Sequence, residues 1–503
     1  MCPDIPVFSL TQTQVPSVIV WVDESGIAHA RDAKTGNIIA EGSDHASVIQ
    51  AALDAAAPAG GRVFIGRGTY DLGGKQLSIA GKSNISIRGE GMGATVIYRG
   101  AIVKNDRAPT YNVEIADLTI DGGAAVPKCV NLAAYSYNFR LKRVELKNSG
   151  DSFLLFWEGV DNLIVEDSIF YDGGLTQAAD NAAGTQLYET EGRTVFRNCL
   201  FVKQRSKGGG LLTTGGTGNL LIDGCTFIDL SGNAYAAISI ENSFGPVKDV
   251  TIVNCRAYGK SAGIRVGNST ANPVEKAVIA NCIATGLVGA INAKEVVIAN
   301  CVVFNTGYGF YVSDSKRVAI ANCVAKNTNY YNESPDYDKI GLWISNNAVV
   351  RVSGLLVYDD QATPTTPRGI GGYNNQYVYL EGVALDGPFK LDALSFDPRY
   401  TGTLLVFKDS RVNGGVGLGS WTRKIVEHVD GYATRASGVA TIPANSTSVT
   451  VGHGLALAPS KVLVTPTGNL GAVWVENITS TSFTIRCSTA PAADTAVYWY
   501  AEV

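Results

Sequence analysis

Histidine and methionine are nearly missing from this chain, with four and two in 503 residues, and charged residues make up only 17%. The four histidines (His29, His45, His428 and His453) stand far from the cysteines, and no two cysteines are close neighbours, so zinc-ligand spacing is absent. No metal or cofactor is expected. Net charge is −4 with no basic stripe, which excludes a nucleic-acid partner. No apolar run approaches the ~18 residues of a membrane helix, so no membrane insertion is expected. The first residues lack the basic region, apolar core and cleavage site of a signal peptide. The Gly-rich "GGLLTTGGTGN" has no lysine to make a phosphate loop and reads as turns.

What is present is repetition. The phrases "RTVFRNCLF", "LLIDGCTF", "VTIVNCRA", "AVIANCIA", "VVIANCVV" and "VAIANCVA" bring Cys199, Cys225, Cys255, Cys282, Cys301 and Cys323 back every 19 to 30 residues. Asparagine precedes five of them, and Gly224 precedes Cys225. A constant core with variable loops at this period marks a solenoid. Within a repeat the apolar residues alternate, and a second alternating stretch follows a glycine, as in "AGIRVG", "YGFYVS" and "IGLWIS". Period two with β-branched residues means strands, and the lengths leave no room for crossover helices. The fold class is therefore all-β: a parallel β-helix with rungs ~4.8 Å apart. Asparagine tolerates the left-handed conformation of a one-residue bend, and the cysteines stack inward as a free thiol ladder. The leucine-asparagine consensus of the rival horseshoe solenoid is absent.

Residues 1–43 read as a β-rich cap packed on the first coil. Ser43 or Asp44 caps a helix whose apolar face is Val48, Ile49, Ala52, Leu53 and Ala56, closing the open end of the solenoid. The solenoid runs over 44–430, with residues 425–437 as a linker. Residues 436–503 change to short strands with Pro and Gly turns, a small β-sandwich. His453 and Trp474 within it are expected to be structural.

The helix "ASVIQAALDAA", then "GGRVFIGRGTYDL", then the coils, resembles the start of the pectate-lyase-like right-handed β-helix superfamily, over about Ser43 to Lys424. That superfamily includes viral tailspike depolymerases, polysaccharide hydrolases and lyases. The resemblance implies a polysaccharide substrate, an extracellular or virion-associated location and a homotrimer, with the C-terminal sandwich aiding trimerisation or touching glycan or host. Fold alone does not choose the reaction.

If the residue nine after each regular cysteine faces inward, two outward columns follow. One holds Tyr188, Ser239, Arg265, Asn292, Tyr311 and Trp343; the other holds Glu241, Lys294 and Ser313. Nineteen-residue turns, Ser168 to Leu187 and Cys323 to Leu342, flank shorter ones and predict a trough over Glu241, Arg265, Asn292 and Tyr311. The loops supply Glu189 and Tyr331. Aromatic faces stack on sugar rings while ionisable groups act on them. Hydrolysis needs two carboxylates: Glu241 is the first, with Glu189 or Asp314 as partner and Arg265 beside it. Tyr188, Lys294, Asn292, Tyr311, Trp343 and Tyr331 are expected to hold substrate. Elimination from a uronate, using Arg265, Lys294 and Tyr311, is the alternative. A non-catalytic glycan-binding fibre is the third.

Overall fold

The computed structural model describes residues 15–503 apart from 134, 158, 176–183, 189, 191, 205–209, 215–217, 229–235, 244, 260–261, 269–270, 307–308, 329–339, 364–365, 390 and 431. The chain winds into a right-handed parallel β-helix. A regular coil has three strands. Strand a (Val274–Ala280 in one coil) meets a bend at Asn281 and continues as strand b (Ile283–Ala284); after a loop comes strand c (Val288–Ile291). The a and b strands pair rung on rung in one long sheet, and the c strands form a separate 14-stranded sheet.

The bend is built as its residues dictate. Asn254, Asn281, Asn300 and Asn322 all have φ between 52° and 57°, and glycine takes the place at Gly224 (φ 66°) and Gly354 (φ 62°). Amides bond along the corner: Asn281 Nδ2 donates to Asn254 Oδ1 at 3.2 Å, Asn300 Nδ2 to Asn281 Oδ1 at 3.1 Å, and Asn254 Nδ2 to Asp223 Oδ1 at 2.9 Å. This mutual satisfaction keeps a polar ladder on an outer corner without breaking the strands. The next residue turns inward. All eight described cysteines are free and buried. The thiol of Cys282 is pushed up to about 12 by its neighbour Cys255 and by burial, so it stays protonated. Phe170, Phe201 and Phe227 extend the same stacking, with ring centroids 4.4 and 4.6 Å apart.

The N-terminal end is closed as expected. Val18–Val22 pairs in parallel with Gly61–Ile65 and begins an antiparallel three-strand unit. The helix His45–Ala56 is capped by Asp44, whose carboxylate accepts from Ser47 Oγ at 2.6 Å. Its buried Val48, Ile49, Ala52, Leu53 and Ala56 join the solenoid core. Residues 425–430, expected in a linker, instead complete the strand Ser420–Asp430 on the last coil. Strands from Arg435 to Glu502 form two three-stranded antiparallel sheets around Ile442, Phe483, Ile485 and Val497. His453 is buried there and stacks on Phe483, whereas Trp474 faces outward and is 42% exposed.

Candidate functional site on the c-strand face

Register on the 14-stranded sheet fixes which side chains are neighbours. One outward column runs Gln186, Leu212, Ser239, Arg265, Gly289, Tyr311, Trp343, Gly371, Ser395. A second holds Tyr188 and, two rungs on, Glu241, and resumes at Ile291, Ser313, Ser345, Tyr373. Three expected members are displaced. Val288, not Ile291, aligns with Ile264 and Phe310, so that turn is three residues shorter than its neighbours. Asn292 consequently sits at the following corner (φ 53°), with Nδ2 donating to the Asn272 carbonyl at 3.0 Å. Lys294 moves onto an a strand and pairs with Glu275 at 2.6 Å. Tyr188 shifts to the second column, two rungs (roughly 10 Å) from Glu241.

Glu241 ends its strand, partly buried. Burial raises its carboxyl pKa, against the opposing pull of Arg265, Ser239 and Asn268. The Ser239 hydroxyl lies 3.5 Å from Oε1. Asn268 accepts from the Asn242 backbone N–H and the Ser243 hydroxyl, which holds its amide at this corner. Asn268 was not foreseen, because it follows the regular strand. Arg265 donates through Nε to the Gly267 carbonyl at 3.4 Å. Beyond Arg265 the column is bare: a Cβ at Gly289 would lie 2.0 Å from the Tyr311 carbonyl oxygen. The backbone of the Tyr311 rung fills that space, so only a glycine fits between Arg265 and Tyr311.

Asp314 does not join Glu241. It occupies a left-handed corner (φ 54°), accepts from Asn346 Nδ2 at 3.1 Å, and lies three rungs along, roughly 14 Å. Glu189 and Tyr331 lie outside the described residues.

Past Tyr311 the face deepens into a groove of about 470 Å³ lined by Tyr311, Trp343, Tyr373, Arg368, Asp397 and Arg399, among others. Trp343 and Tyr373 meet edge to face at 5.7 Å, and Tyr373 stands 5.1 Å from Tyr400. Arg399 pairs with Asp397 at 2.5 Å and holds that carboxyl below its ordinary range. Trp343 and Tyr311 were expected on this face; Tyr373, Tyr400 and the Asp397–Arg399 pair were not. The doubled asparagines Asn346-Asn347 and Asn374-Asn375 could have phased these coils, since Asn374 stacks on Asn346 as Asn281 does on Asn254. Among the described residues no cluster of three metal-ligating side chains occurs.

These features define the class: a right-handed parallel β-helix protein with an aromatic groove along one sheet. Residues 222–362 match the family model "Right handed beta helix region". The chain is 32% identical over 156 residues to alginate lyase 7 of Azotobacter vinelandii, covering 26% of this chain and 18% of that protein. Mannuronan C5-epimerase AlgE3 of the same organism is also 32% identical, over 157 residues, with 8% of its length covered. Among solved structures, the tailspike gp49 of Pseudomonas phage LKA1 aligns over 91% of this chain and 93% of its own at 13% identity and a TM-score of 0.48. The chain thus spans less than a fifth of the curated relatives it matches.

Proposed function

We propose that the protein cuts a polysaccharide laid along the c-strand face, outside the cell or on a virion. The observation that carries this is the run of Tyr188, Glu241, Arg265, Tyr311, Trp343 and Tyr373 along two adjacent columns of one solenoid face, ending in the groove. Aromatic rings give a sugar chain its stacking surface, and the polar groups give direction. Axial spacing matches an extended polymer, which favours cutting within the chain.

Hydrolysis is the first reading. A carboxyl whose pKa is raised by burial is suited to protonate a leaving oxygen, and Glu241 is that group. Elimination is the second reading. Arg265 neutralises a uronate, and Tyr311, two rungs along, takes the proton from the adjacent carbon. The C–O bond to the leaving sugar breaks as the double bond forms, its oxygen taking up a proton; the local identity to alginate lyase 7 supports this reading. Incubation with neutral and uronic polysaccharides, following reducing ends and ultraviolet absorbance, separates them. Hydrolysis gives reducing ends alone; elimination adds absorbance from the new double bond. Retention on a glycan column without either product leaves a binding fibre and overturns both.

A further inference from the structure

After the c strand Val288–Ile291, the corner leading to the next a strand is a single residue, Asn292. After Glu241 that corner opens into 242–246, and after Val266, one coil further on, into 267–273. Paired asparagines lock the two widened corners together. The Asn242 N–H donates to Asn268 Oδ1 at 3.2 Å, and the Asn268 N–H donates back to Asn242 Oδ1 at 2.9 Å. A second exchange lies beside the first. Asn242 Nδ2 donates to the Asn272 carbonyl, and Asn272 Nδ2 donates to the Asn242 carbonyl at 3.0 Å. Asn242 is wholly buried in this lock. Asn268 Oδ1 accepts once more, from the Ser243 hydroxyl at 3.1 Å.

A backbone N–H can only donate, so the Asn242 N–H fixes which atom of the Asn268 amide is oxygen. Burial raises the Glu241 carboxyl, and a hydrogen bond from the Asn268 side chain is one of the pulls back toward the ionised form. With Oδ1 committed to the lock, the atom that meets Glu241 is the donor Nδ2. The other neighbours act differently. Ser239 approaches Oε1 from the same strand, at 3.5 Å, and Arg265 turns Nε to the Gly267 carbonyl and acts on Glu241 through its charge. The lock by itself needs only the Asn268 oxygen; the amide nitrogen has a separate task.

We propose, on the reading of Glu241 as the general acid, that Asn268 is its positioning residue. Held by the Asn242 lock, Asn268 Nδ2 orients the carboxyl on the c-strand face and bonds the carboxylate that proton transfer leaves behind. The Glu241 proton passes to the leaving glycosidic oxygen as its bond to the anomeric carbon breaks. Water gives that carbon its hydroxyl, and the water's remaining proton restores Glu241. Between the two transfers the negative charge rests on Glu241, facing a donor already in place. A fixed donor aimed at a charge that develops during reaction costs no reorganisation when the charge appears.

The test is carbon NMR of the full chain labelled at its glutamate carboxyls, with the Glu241 signal assigned by its loss in Glu241→Gln. Asn268→Asp keeps an oxygen for Asn242 and Ser243 and exchanges only the donor for an acceptor; Asn268→Ala removes both. The Glu241 titration should move up by about one pH unit in Asn268→Ala, the loss of one bond to a charged group. In Asn268→Asp it should move further, because a like charge then faces the carboxylate. Turnover of Asn268→Asp in the cleavage assay above should fall about tenfold or more at the parent's optimum pH. A role confined to the lock gives the opposite order: Asn268→Asp titrates and melts like the parent, and Asn268→Ala melts earlier with Glu241 unmoved. Far-ultraviolet circular dichroism checks the fold of each variant, and either one alone carries the titration. A parent-like Glu241 titration in Asn268→Asp overturns the proposal whatever the activity. A shifted titration beside a fully active Glu241→Gln overturns the acid reading, and the proposal with it.

Discussion

The two sides of the shaft obey different rules. At the a–b corner the regular coils repeat one device: one left-handed residue and one inward thiol, with the amides of Asn254, Asn281 and Asn300 bonded in series. On the c-strand side scarcely two consecutive coils agree. Ser239, Arg265, Gly289 and Tyr311 follow one another with no shared chemistry, between turns of unequal length. Repetition along a column supplies stability, because each rung satisfies its neighbour; variety along a column supplies a site, because a substrate needs different groups at different depths. The contrast predicts that substitutions on the two sides will separate activity from stability.

The sharpest separation is expected at Glu241. Glu241→Gln should lower turnover on the cleaved polysaccharide about 10²–10⁴-fold, the range of a general acid, measured by product release at saturating substrate. Its stability should move the other way. Burial raises the folded-state pKa of Glu241, so its favourable contribution is complete below the ordinary glutamate range and is lost as pH rises through the folded value. At neutral pH the glutamine variant should therefore melt at or above the parent temperature. Equal activity in parent and variant would remove Glu241 from the chemistry.

On the opposite side, Phe227→Ala should cost about 3–5 kcal/mol in denaturant unfolding, since it opens the stack with Phe201 inside the shaft. Turnover per folded molecule should hold. A loss below 1 kcal/mol would show that this part of the core collapses around the missing ring.

How far the sequence discloses each side follows from the same contrast. The corner was legible because Asn-Cys recurs at a backbone position that tolerates few residues, and the inward thiols and the capping helix followed from alternation and spacing. The c-strand face was legible only where turn lengths repeat. Glu241, Arg265, Tyr311 and Trp343 fall on that face, but "VGAINAK" fits the alternation with either Val288 or Ile291 inward, and choosing Ile291 carried Asn292 and Lys294 out of the columns. Hydrophobic period two cannot decide a register when the turn before it has changed length. Tyr373 and Tyr400 lie in coils without Asn-Cys, where the doubled asparagines were the usable phase marker.

A smaller effect tests the groove itself. Trp343→Ala should weaken glycan retention up to roughly tenfold, about 1.4 kcal/mol, with the melting temperature little changed, because the ring lies on the surface against Tyr373 rather than in the shaft. Affinity electrophoresis in the cleaved polysaccharide measures this. No change in mobility would shift substrate binding away from the groove and back toward Glu241 and Tyr188.

The smallest effect separates two reasons for the corner's regularity. Asn281 is held at φ 55° and exchanges amide hydrogen bonds with Asn254 and Asn300. If conformation dominates, Asn281→Ala should cost about 1 kcal/mol, the lower end of the left-handed penalty for a residue with a Cβ, and Asn281→Gly less than half of that. If the amide ladder dominates, both variants lose the same two hydrogen bonds and fall together. The chain already contains both solutions. Gly224 and Gly354 make the same bend without an amide, next to Asn198 and Asn322, so the coils tolerate a gap in the ladder but not a departure from the left-handed angle. Conformation is therefore expected to dominate, with Asn281→Gly unfolding closer to the parent than to Asn281→Ala in equilibrium denaturation.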